Sequence, residues 1–105
     1  MRPIHLAALD KTRPVLILTR ELVRPHLTRV TVAPITSTAR GLSTEIPVGS
    51  DNGLDRASVA SCDNVVTIPA AALGRQIGRL LPEQEPALTA ALHAAFDLED
   101  LPRPR

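Results

Sequence analysis

Arg13-Pro14-Val15-Leu16-Ile17-Leu18-Thr19 is the stretch on which the fold turns. Residues 14–19 form a short unbroken apolar run, the pattern of a strand buried on both faces, and Pro14 at its start avoids losing a ladder hydrogen bond. Upstream, residues 3–8 read as a weaker first strand. Downstream, Arg29-Val30-Thr31-Val32-Ala33-Pro34-Ile35 alternates polar and apolar, the period of a half-exposed strand, with Pro34 predicting an edge or a bulge. A turn at Ala39-Arg40-Gly41 leads to Ser43–Val48, with Thr44, Ile46 and Val48 on one face and Ser43, Glu45 and Pro47 on the other. Gly49-Ser50-Asp51-Asn52-Gly53 is turn chemistry, since Asn-Gly tolerates positive φ. Ser58–Cys62 and Asn64–Ile68 are two more short strands. Pro69 and the run to Leu73 predict a brief helical turn, and Gly74 and Gly78 bracket a strand-like Arg75-Gln76-Ile77.

The one helix with a clear signal lies near the C-terminus. Leu81-Pro82-Glu83-Gln84-Glu85-Pro86 places prolines and carboxylates in a first turn, where a missing N–H is harmless and negative charge suits the dipole. Leu88, Ala91, Leu92, Ala95 and Phe96 then form one apolar stripe, expected to lie on the sheet with Phe96 in the core. The tail, with Pro102 and Pro104, is expected to fray over residues 99–105. The whole of 1–105 is read as one domain, mainly β with a C-terminal helix, because a chain of 105 residues closes a single core.

Composition narrows the chemistry. Apolar residues make up 44% of the chain, yet Phe96 is the only aromatic, so the core must be aliphatic. Modules that stack bases on two or three aromatic rings are thereby disfavoured. The net charge of +1 hides an asymmetry: residues 1–45 carry seven basic and three acidic side chains, residues 46–105 five and eight. The first half is the candidate anion-facing surface. A single cysteine, Cys62, allows no internal disulfide, and no Cys/His set has zinc spacing, so no metal or cofactor is expected. Apolar runs are short and no signal-peptide pattern opens the chain, so a cytoplasmic location is expected and no membrane partner.

No phosphate-binding glycine loop, metalloprotease histidine pair or nucleophile elbow is present. What remains are polar residues at strand ends: Arg13, the cluster Thr36-Ser37-Thr38, and Asp63-Asn64. Taken singly they read as a surface charge, a hydroxyl-rich turn and a self-bonded turn. Arg40 beside Gly41 reads equally as a phosphate grip or an exposed turn. His5, His26 and His93 are too dispersed for a two-histidine ribonuclease, and Cys62 reads as a small core residue rather than a nucleophile.

Three segments together carry more. Arg13-Pro14-Val15-Leu16-Ile17-Leu18-Thr19, Val32-Ala33-Pro34-Ile35-Thr36-Ser37 and Ser61-Cys62-Asp63-Asn64-Val65-Val66-Thr67-Ile68 closely resemble the MazF/PemK family of toxin endoribonucleases, in the same order and with similar spacing. Ile77-Gly78-Arg79-Leu80 matches that family's stretch before its final helix, and the resemblance runs from Arg13 to about Leu98. It implies an SH3-like barrel of mostly antiparallel strands with a C-terminal helix, assembled as a homodimer. It also implies metal-independent, sequence-specific cleavage of single-stranded RNA to 2′,3′-cyclic phosphate and 5′-hydroxyl ends, and neutralisation by a MazE-type antitoxin with an acidic tail.

On this resemblance Arg13 matches the family's catalytic arginine. Its pKa above 12 favours binding the phosphorane oxygens through a planar fork over donating a proton. Thr36 matches the hydroxyl residue that donates to a non-bridging oxygen. Asp63 matches a position where a carboxylate takes the 2′-proton or holds a base edge, and Asn64 an amide that reads a base. Ser37, Arg40, Thr19 and Arg20 are expected along the same RNA groove. Two departures stand out: Ser61 replaces an arginine found in some members, and the first loop has collapsed to Asp10-Lys11-Thr12, leaving a more open groove. Two other readings stay open, a gyrase poison of the CcdB type, which depends on a C-terminal Trp absent here, and a catalytically inactive dimer that only binds antitoxin.

Overall fold

The structure, a computed structural model, describes residues 2–99, so the frayed tail expected over residues 99–105 lies, except for Glu99, outside the described residues. Seven strands follow in chain order: β1 (Arg2–Ala8), β2 (Thr12–Ile17), β3 (Arg29–Thr36), β4 (Glu45–Val48), β5 (Ser58–Ser61), β6 (Val66–Pro69) and β7 (Leu73–Leu80). One helix, α1 (Glu85–Phe96), closes the described chain. The strands form one curved sheet ordered β4-β5-β3-β2-β1-β7, with β6 also paired to β3. Every pairing is antiparallel. The expected mainly β, antiparallel barrel with a C-terminal helix forms, as a half-barrel sheet.

The apolar run of β2 explains its place between β1 and β3. Val15, Leu16 and Ile17 are all fully buried. Leu16 joins Ile4, Ala33, Ile35 and the helix residues Leu88 and Ala91 in one core, whereas Val15 and Ile17 join Ala7, Val30, Val32 and Ile68 in a second core on the other face. Burying each Val, Leu or Ile among them stabilises the fold by about 1.5–3 kcal/mol. The core is aliphatic throughout, with Cys62 packed in it as a small apolar residue. Burial pushes the Cys62 thiol pKa up, away from reactivity.

Pro34 does not mark an edge. β3 is central: it pairs with β2 on one side, and on the other it pairs first with β6, through Arg29–Val32, and then with β5, through Ile35 and Thr36. Ala33 and Pro34 fall in the gap between those two partners, where the missing proline N–H costs no ladder bond. The alternation in β3 likewise reflects two cores rather than one core and solvent, because Val30 and Val32 face one cluster and Ala33 and Ile35 the other.

Two further expectations change. β7 runs through both glycines, Leu73–Leu80, instead of stopping at them. Phe96 is 56% exposed, so the lone aromatic is not in the core. Helix α1 buries Leu88 and Ala91 against β4 and the Cys62–Asn64 turn, and Leu92 and Ala95 pack against the same core while Phe96 beside them does not. Asp97, with φ 53°, then ends it.

Candidate active site

Thr36 ends β3, and its two neighbouring strands bring the rest of the site to it. The β2–β3 register pairs Val15 with Pro34; two residues further along, Arg13 stands level with Thr36. On the other side Thr36 pairs with Val59 of β5. A cleft of about 470 Å³ opens there. Lys11, Thr12 and Arg13 form one wall, Thr36, Ser37 and Thr38 the floor, and Leu54, Asp55, Arg56 and Ser58 the other wall.

Arg13 is held by a side-on pair. Its Nε donates to Asp10 Oδ1 at 2.9 Å and its Nη2 to Asp10 Oδ2 at 3.1 Å. The hydrogen bond from Arg13 holds the Asp10 carboxyl down, from 3.8 to about 2, and Asp10 in turn raises the guanidinium pKa. Because Asp10 uses the Nε and Nη2 edge, the end-on edge made by Nη1 and the outer Nη2 hydrogen stays available for a phosphate. Thr36 Oγ1 accepts the Thr38 N–H at 3.1 Å, which orients the hydroxyl while its own proton remains free to donate.

Of the residues expected from sequence, Arg13, Thr36 and Ser37 meet in this cleft; Asp63, Asn64, Arg40, Thr19 and Arg20 do not line it. Asp63 lies in the 3₁₀ turn Cys62–Asn64, beyond the far end of β5, where it accepts the Thr44 hydroxyl at 2.6 Å. Asn64 Nδ2 donates to Ser61 Oγ at 2.9 Å. Arg40 is exposed, and its backbone N–H donates to the Glu45 carboxylate. Thr19 Oγ1 accepts the Thr31 N–H at 2.8 Å, and Thr19 and Arg20 line a separate depression of about 170 Å³ beside Arg2 and Glu85. His5 Nδ1 lies 2.9 Å from the Gly74 carbonyl oxygen, away from the cleft.

Sequence reasoning missed Asp10, Lys11, Asp55 and Arg56. Asp10 carried a usable signal: in Asp10-Lys11-Thr12-Arg13 a tight turn brings the first and last side chains together, as an i,i+3 ion pair. Arg56 carried none, because only the β3–β5 pairing moves the β4–β5 connection next to Thr36.

Comparison with known proteins gives the family of this chain. A family model described as "PemK-like, MazF-like toxin of type II toxin-antitoxin system" matches residues 5–96. The Mycobacterium tuberculosis protein named endoribonuclease MazF3 is 70% identical over 99 residues, covering 94% of this chain and 96% of that one. A second protein of that organism, named probable endoribonuclease MazF5, is 39% identical over 81% of this chain and 79% of its own length. The solved M. tuberculosis toxin MazF-mt6 superposes with a TM-score of 0.92 at 69% identity, covering 93% of this chain and 99% of that one. A mycobacterial endoribonuclease solved in complex with its cognate antitoxin shares the fold at a TM-score of 0.83 and 24% identity, over 94% of this chain and 95% of that one. On a family match spanning nearly the whole sheet and helix, and on relatives matched along almost their full length, this chain belongs to the PemK/MazF-like toxin family of type II toxin–antitoxin systems.

Proposed function

We propose that this endoribonuclease-family toxin cuts single-stranded RNA at a specific sequence without a metal ion, by attack of the 2′-oxygen on the adjacent phosphorus. The observation that supports this reading is the meeting of Arg13, itself held by Asp10, and Thr36 in one cleft at the end of the β2–β3 ladder. In the reaction a bond forms from the 2′-oxygen to phosphorus and the bond from phosphorus to the 5′-oxygen breaks, leaving a 2′,3′-cyclic phosphate and a 5′-hydroxyl. The free edge of the Arg13 guanidinium and the Thr36 hydroxyl stabilise the charge on the pentavalent phosphorane. Asp10, both of whose oxygens accept from Arg13, fixes the guanidinium, while water takes the 2′-proton and gives one to the 5′-oxygen as it leaves; Asp63, engaged by Thr44, lies outside the cleft. Ser37 extends the hydroxyl floor along the RNA.

The family assignment carries the wider role. The chain acts as a cytoplasmic homodimer and is neutralised by a MazE-type antitoxin, whose acidic tail occupies the cleft where Lys11, Arg13 and Arg56 converge.

The test is incubation of the purified protein with a long single-stranded RNA in EDTA, followed by mapping of both new ends. Discrete cuts with cyclic-phosphate and 5′-hydroxyl ends, lost in Arg13→Ala and in Thr36→Ala, are expected. An intact RNA with antitoxin binding retained would replace this reading with that of an inactive antitoxin-binding dimer.

A further inference from the structure

Arg56 stands in the same cleft as Arg13 but reaches it from the opposite side of β3. Arg13 comes from β2, whereas Arg56 comes from the connection that enters β5 at Ser58. The two cations differ in what they already hold. Arg13 is paired with Asp10, and Arg56 forms no ion pair among the described residues. Lys11, the remaining cation of the cleft, lies two residues from Arg13 on the same wall, so it adds to the charge around the scissile phosphate. A single-stranded RNA bound with one phosphate at Arg13 and Thr36 carries its next phosphate along the cleft, and Arg56 is the uncommitted cation on the far wall.

The backbone that carries Arg56 is fixed from several directions. Ser58 Oγ donates to the Arg56 carbonyl oxygen at 3.0 Å. Upstream, Gly53 has φ +85° and packs backbone to backbone against Ile77 and Gly78 of β7. Asn52, only 1% exposed, donates through Nδ2 to the Arg79 carbonyl oxygen at 2.9 Å. A charged side chain on a connection tied down in this way loses less freedom on binding than one on a free loop. Beyond Arg56 the surface changes sign. The adjoining depression has Asp51 and Asp55 in its lining and Arg56 as its single cation, so the track for phosphates ends there.

We propose that Arg56 forms a second phosphate subsite, which holds the phosphate next to the scissile one and thereby sets how the RNA lies across Thr36. The proposal rests on the ribonuclease reading above and assigns Arg56 to binding, with no part in proton transfer. Loss of one phosphate contact to a single strand reduces the steepness of log K against log salt by about 0.7.

The experiment uses the full chain, an RNA oligonucleotide spanning a mapped cut, and the same oligonucleotide with a 2′-deoxy nucleotide at the cut so that it binds without reacting. Binding of the unreactive RNA is measured between low and moderate salt for the wild type, Arg56→Gln and Arg56→Lys, and kcat and KM are measured on the cleavable one. For Arg56→Gln the salt slope is expected to fall by about 0.7, KM to rise severalfold and kcat to stay within about twofold, with cut positions unchanged. Arg56→Lys, which keeps the charge, is expected to restore the slope. An unchanged slope and KM in Arg56→Gln, with the wild type cutting normally, would overturn the subsite alone. A loss of kcat at unchanged slope would do the same by placing Arg56 in the chemistry. RNA left uncut by the wild type would overturn the ribonuclease reading and the subsite with it.

Discussion

A Cβ placed on Gly78 would overlap the carbonyl oxygen of Asn52. The connection between β4 and β5 therefore rests directly on the backbone of β7, with no room for a side chain between them. This is a physical reason for glycine within Ile77-Gly78-Arg79-Leu80. Gly78→Ala must push two backbone segments apart, and overpacking of this kind costs about 2–3 kcal/mol. Thermal unfolding followed by circular dichroism should show a Tm roughly 10–20 °C lower for a domain of this size. An unchanged Tm would mean that the connection can lift away freely.

The same junction holds a paired amide contact. Asn52 Nδ2 donates to Gln84 Oε1 at 2.6 Å, and Gln84 Nε2 donates back to Asn52 Oδ1 at 3.3 Å. Asn52 Oδ1 also accepts the Gly49 N–H, and Gln84 Oε1 accepts the Leu81 N–H. Asn52→Ala leaves several of these groups without partners in a buried setting, at a cost of about 2–4 kcal/mol. Urea unfolding of Asn52→Ala, Gln84→Ala and the double variant should give a coupling of about 1–2 kcal/mol. Additive losses would show that the two amides act independently.

The Asp10–Arg13 pair makes a prediction about pH. Asp10 is lowered from 3.8 to about 2, chiefly by the hydrogen bond from Arg13. A depressed carboxyl means that the pair is fully formed above its ordinary value and is lost as pH falls through about 2. Carboxyl carbon shifts followed by NMR should place the Asp10 midpoint near 2 in the wild type. In Arg13→Ala it should return to near 3.8. An Asp10 midpoint that ignores the substitution would show that the pair does not persist in solution.

How far the sequence foretold this site follows from what each residue depends on. β2 was legible because Val15, Leu16 and Ile17 announce burial by composition alone, and Gly53 because Asn-Gly encodes its own turn. Pro34 misled because a proline in a central strand is tolerated only where two partners meet, and no local pattern reports that handover. Phe96 misled because helical periodicity names a face but not its edges: Leu92 and Ala95 pack on the core, and Phe96, at the margin of the stripe, does not. Arg13 and Thr36, expected from their family match, are brought to one cleft by one register. Asp63 matched equally well, yet the 3₁₀ turn after β5 directs its carboxylate to Thr44. Which carboxylate serves Arg13 is a question of three-dimensional proximity, and the answer is Asp10.

That answer separates two substitutions that look alike on paper. Asp10→Asn removes the negative charge that holds the Arg13 guanidinium in place, so kcat should fall on the order of 10²-fold. Arg13→Ala removes the donor fork for the phosphorane and should cost on the order of 10²–10³-fold. Asp63→Asn keeps an oxygen that accepts the Thr44 hydroxyl and touches nothing in the cleft, so cleavage and Tm should stay near wild type. Single-turnover cleavage of one mapped RNA by all three variants decides the matter. Loss of activity in Asp63→Asn with Asp10→Asn intact would place a general base in the turn after β5, and would require the RNA to run along β5 rather than across the end of the β2–β3 ladder.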